Sequence, residues 1–79
     1  MERKMWVVKH PKTGKYLRAV TKIKDGKAVH TYSWVEELTY ANRASEVDAA
    51  QIMFMCAAKD LNEDSCEIVE VLVSVTEVE

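Results

Sequence analysis

Apolar and polar positions alternate with period two through the first third of the chain, then shift to a helical period, then return to period two. Residues 5–10 are β-rich, with Trp6 and Val8 on one face and Met5 and Val7 on the other. Residues 15–23 alternate Leu17, Ala19, Thr21 and Ile23 against Tyr16, Arg18, Val20 and Lys22. One apolar and one polar face is the mark of a half-buried antiparallel strand, so the Leu17–Ile23 side is expected to face the core. Pro11-Lys12-Thr13-Gly14 and Asp25-Gly26 are turn signals: Pro presets φ and Gly accepts positive φ. A third strand over 27–33 completes an expected three-stranded meander.

Residues 33–44 carry the weakest pattern. Ser33 followed by Glu36 has the form of a capping box, which suggests one helical turn through Leu38, while Thr39-Tyr40 favours an extended return. The next segment is clearly helical. Ser45 is placed to cap it, with Glu46 and Asp48 in the first turn, where the helix dipole favours negative charge. Val47, Ala50, Phe54, Ala57, Ala58 and Leu61 recur at i, i+3 and i+4 and predict one core stripe ending near Asn62. Residues 66–75 then read as a long strand, with Val69, Val71, Val73 and Val75 on one face and Ile68, Glu70 and Leu72 on the other. A strand apolar on much of both faces is expected in the middle of its sheet. The expected fold is α+β: an antiparallel sheet of about four strands (β-β-β-α-β) with one helix on one face.

Length and composition narrow the field further. With 79 residues, 48% of them apolar, the chain reads as one small domain over 1–79 rather than a disordered polymer. The apolar run 49–58 is too short to span a bilayer, which takes about 20 residues. The start of the chain has no apolar signal-peptide region. A cytoplasmic location is therefore expected, with Cys56 and Cys66 reduced rather than bridged.

The net charge of −2 conceals a polarised sequence. Residues 1–30 carry nine Lys/Arg against two acids, a net +7; residues 31–79 carry two against eleven, a net −9. Tyr16, Arg18, Lys22 and Lys24 fall on one strand face and could form a platform for single-stranded nucleic acid, where cations meet phosphates and rings stack on bases. Two features weigh against it. One aromatic alone joins the cations, and the acidic half would repel phosphate. Lysines that keep an exposed strand soluble are the competing account.

No catalytic constellation is evident. Lys12-Thr13-Gly14-Lys15 lacks the first Gly and the Ser/Thr of a phosphate loop, and it joins two strands. His10, His30, Cys56 and Cys66 show no metal-ligand spacing, and the histidines are expected at the surface. No cofactor or metal is expected.

The helix is less ordinary. With Phe54 facing the sheet, Ile52 and Cys56 point nearly opposite at about 100° per residue, and Ala49, Met53 and Met55 flank them. Lys59 is the main charge on that side. An apolar outer face of this kind marks an interaction site, and methionine suits an adaptable contact. Either a partner covers it, most simply a second copy, or residues 33–44 fold over it with Trp34, Leu38 and Tyr40. Asp60, Glu63, Asp64 and Glu67 would then steer the chain toward a basic partner surface.

Taken together, Trp6-Val7-Val8, the Gly14-Lys15-Tyr16-Leu17 hairpin exit, Trp34, the Ala41 and Ser45 lead-in to an alanine-bearing helix, and the valine-rich last strand resemble the small orphan proteins of bacteriophage and prophage genomes. The resemblance covers most of the chain and rests on pattern. It implies a non-enzymatic protein that binds a host protein, as inhibitors of bacterial defence such as anti-CRISPR proteins do. It assigns no role to any residue. Nucleic-acid binding by the basic meander is the alternative reading.

Overall fold

The computed structural model describes residues 2–74. Strands β1 (Glu2–Lys9), β2 (Tyr16–Lys24) and β3 (Lys27–Val35) are followed by a 3-10 turn (Leu38–Tyr40), helix α1 (Val47–Leu61) and strand β4 (Glu67–Ser74). The strands form one curled antiparallel sheet in the order β3-β2-β1-β4, and the fold is α+β as expected. Val75, expected in the last strand, lies outside the described residues.

Both predicted turns form. Asp25 (φ 53°) and Gly26 (φ 76°) take the paired positive φ values of a tight hairpin turn, which matches the strand twist. The β2–β3 ladder is continuous from Tyr16–Val35 to Lys24–Lys27.

The expected simple meander is corrected at β1–β2. These strands pair in register at Lys9–Tyr16 alone, beside a His10 N–H to Lys15 carbonyl bond of 2.7 Å. Beyond it residues 42–44 enter between them. On the β2 side the Asn42 N–H donates to the Leu17 carbonyl (3.0 Å), and Asn42 Oδ1 accepts the Ala19 N–H (3.0 Å). On the β1 side Trp6 and Ala44 exchange two backbone bonds, 2.9 and 2.8 Å. Backbone groups this close to a core require partners, and the inserted segment supplies them.

The core is formed by Val8, Leu17, Ala50 and Ala57, with Trp6, Tyr32, Trp34, Met53, Phe54, Leu61 and Ile68 packed around it. The alanine spacing lets α1 sit close against the sheet. Several expectations are revised here. Met53 packs against the core instead of flanking the outer face, while Val47 is 39% exposed. Ser33 lies within β3 and caps no helix; the short turn forms later, at Leu38–Tyr40. Glu46 rather than Ser45 takes the N-cap position, without a side-chain bond. β4 is an edge strand, not a central one. Its register against β1 puts Val69 and Val71 opposite the buried Val7 and half-buried Met5, and Ile68 opposite Val8, so both its faces have apolar neighbours without a second flanking strand.

Ile23 departs furthest from expectation. It shares the Leu17 face of β2 but is 75% exposed, and every residue of 21–31 is exposed. The core ends near Ala19 and Tyr32, and the distal half of the hairpin projects beyond it.

Candidate interaction surfaces

Three surfaces follow from this architecture. The first is the outer face of α1. Ile52 is 60% and Met55 72% exposed, and Ala49, Cys56 and Lys59 beside them are also exposed. Residues 33–44 do not cover this face. Trp34 belongs to β3 and packs from the sheet side, Leu38 and Tyr40 stay exposed, and 42–44 fill the β1–β2 gap. Cys56 and Cys66 are both free. Burial pushes the Cys66 thiol up from its ordinary value.

The second is the acidic end. Asn62 ends α1 in the left-handed conformation (φ 54°), and the Glu63 N–H bonds back to the Ala58 carbonyl at 3.0 Å, a Schellman-type ending. This turn aims Glu63 at His10, with Oε1 2.9 Å from Nε2. His10 is 8% exposed, which corrects the expectation of a surface histidine. Its Nδ1 accepts the Lys12 and Thr13 N–H groups at 3.0 and 3.2 Å, so Nε2 carries the proton donated to Glu63. The ring stands edge-on to Trp34, centroids 5.0 Å apart. A cleft of about 400 Å³ opens beside the pair, lined by His10, Pro11, Lys12, Asn62, Glu63, Asp64 and Ser65. With both ring nitrogens committed to the fold, the pair acts as a clasp between the β1–β2 turn and the helix end, and no nucleophile stands at its Nε2. Among the four acids expected to face a partner, Asp60 and Asp64 are exposed, Glu63 serves the clasp, and Glu67 lies opposite Lys9 in the β1–β4 ladder.

The third is the β2–β3 ribbon. Register puts Arg18, Lys22, Lys24 and Lys27 on one face, together with Tyr16 and Val20 and opposite in sense to Leu17, Tyr32 and Trp34. Lys22, Lys24 and Lys27 are exposed. Sequence reasoning offered Tyr40 as part of a cover for the helix and did not place it on this face. The 3-10 turn brings its ring beneath Arg18, whose guanidinium carbon lies 5.7 Å from the centroid, and Arg18 Nη1 makes a long bond of 3.5 Å to the Tyr40 carbonyl. Nothing in the local pattern signals this contact, because it depends on the path of 36–44 across the sheet.

Among the described residues no group of three or more His, Cys, Asp or Glu side chains is placed to hold a metal ion. No helix there is long and apolar enough to cross a membrane. Comparison with known proteins finds no match: no family model, no curated protein and no solved structure is similar to this chain.

Proposed function

We propose that this chain is a non-enzymatic protein-interaction module that docks through the outer face of α1, and that the first occupant of that face is a second copy of the chain. The observation that carries this reading is the exposed apolar strip Ile52, Met55 and Cys56, which the other described residues leave uncovered. Among the described residues the buried side chains are few and three of the six apolar ones are alanines, so added burial would contribute substantially to stability.

In the finer reading, a phage-type protein that inhibits a host factor, Asp60 and Asp64 supply the charge that draws a basic partner surface. Their exposure beside the helix end supports it.

Light scattering of the full chain tests the proposal. The wild type is expected to associate, and Met55→Glu or Ile52→Glu to give a monomer with an unchanged circular dichroism spectrum. A wild type that stays monomeric at every concentration, with both variants indistinguishable from it, overturns the reading.

A further inference from the structure

We infer that the basic face of the β2–β3 ribbon binds single-stranded nucleic acid, with the phosphates on Lys22, Lys24 and Lys27 and a base stacked against the Arg18–Tyr40 pair.

Four observations support this. The four cations share one face by register and project on strands whose distal half packs against nothing. Among the described residues the ion pair between permanently charged side chains is Lys4–Glu70, so none of the four cations is paired with a carboxylate there. The ribbon from 18 to 31 holds one carboxylate, Asp25, in its turn. Tyr40 adds a second aromatic to the face and is 54% exposed, which removes the objection that Tyr16 stands alone.

Geometry also answers the electrostatic objection. At about 3.3 Å per residue, Lys24 stands roughly 26 Å along β2 from Tyr16. Asp60, Asp64 and the His10–Glu63 clasp lie toward the Tyr16 end, where β2 leaves the His10–Lys15 turn. Over such a distance exposed charges are largely screened at physiological salt, where the Debye length is about 8 Å. A phosphate chain on Lys22, Lys24 and Lys27 therefore lies away from Asp60, Asp64 and Glu63, while the Arg18–Tyr40 pair stands nearer the Tyr16 end, in the segment that also exposes Glu36 and Glu37. A single strand is favoured over a duplex because guanidinium and phenol faces offer a stacking platform, and stacking requires a base free of its pair.

The test is fluorescence anisotropy of the full chain with labelled oligo(dT) of about 20 nucleotides, the matching duplex and heparin, across a salt series. The expected result is oligo(dT) binding ahead of duplex, with a log–log salt slope near −0.7 per phosphate contacted, or about −2 for the three lysines. Lys22→Ala and Lys24→Ala each reduce that slope by about 0.7. Tyr40→Ala weakens binding roughly 5- to 150-fold with the slope retained, and Tyr40→Phe binds like the wild type. All these side chains are exposed or half-exposed, and thermal melting confirms that each variant is folded. Absence of binding at low salt overturns the inference. So does a preference for duplex, or equal binding of heparin and oligo(dT) with no effect of Tyr40→Ala, which would mark a nonspecific polyanion surface. Because Met55→Glu leaves the ribbon intact, loss of association in that variant and loss of oligo(dT) binding in the ribbon variants separate the two functions.

Discussion

Trp6 and Ala44 exchange both of their backbone hydrogen bonds, so a residue from the irregular part of the chain occupies a strand position in the middle of the sheet. Asn42 does the equivalent work toward β2, with its side-chain amide standing in for a backbone carbonyl at Ala19. Asn42→Ala leaves the Ala19 N–H without its partner. It is expected to destabilise the fold by about 1–3 kcal/mol, read by urea unfolding, whereas Asn42→Asp retains the acceptor and is milder.

Leu17 and Ile23 lie on the same face of the same strand with opposite surroundings, one fully buried and the other 75% exposed. Leu17→Ala is expected to cost about 2–5 kcal/mol and Ile23→Ala within about 0.5 kcal/mol of nothing. Equal losses at the two sites would place the edge of the core further along β2 than Ala19.

The clasp between His10 and Glu63 joins two loops far apart in sequence. Glu63→Gln preserves an acceptor for the Nε2 proton, and Glu63→Ala removes it. The alanine variant is expected to lose about 0.5–3 kcal/mol of stability and the glutamine variant less, measured by chemical denaturation at neutral pH.

The two cysteines should react differently. Cys56 is exposed, while Cys66 is half-buried and its thiol is pushed up by desolvation. Alkylation at mildly alkaline pH is expected at Cys56 first, seen by peptide mass mapping. Because the folded state holds the Cys66 proton more tightly than the unfolded chain, this group's contribution to stability is fully present below the ordinary thiol value and is lost as pH rises past it and through the raised value of the folded state. Cys66→Ala should flatten that alkaline decline.

The elements were largely legible in the sequence because each depends on local chemistry: Asp25-Gly26 dictates its turn, the alanine-rich period dictates α1, and alternation dictates β2 and β3. What was not legible depends on distance. Strand order is set by how segments meet, so the valine-rich β4 reads as central yet lies at the edge. Alternation along β2 distinguishes its two faces but not where the core stops, and Ile23 therefore reads as buried. The outer helix face was legible from angular spacing alone at Ile52, Met55 and Cys56. Met53 was not, since half a turn's ambiguity decides whether a flanking side chain tucks inward. Tyr40 joined the basic face through a loop path that no periodicity encodes.

The distal ribbon contributes almost nothing to the core, so residues 21–31 answer to no packing constraint beyond the turn that joins them. Substitution there can change the charge of the arm while the melting temperature stays put. A segment of that kind can diversify faster than the body that carries it, and it can be transplanted: an unrelated hairpin grafted between Val20 and Tyr32 would keep this scaffold folded and give it a different exposed surface.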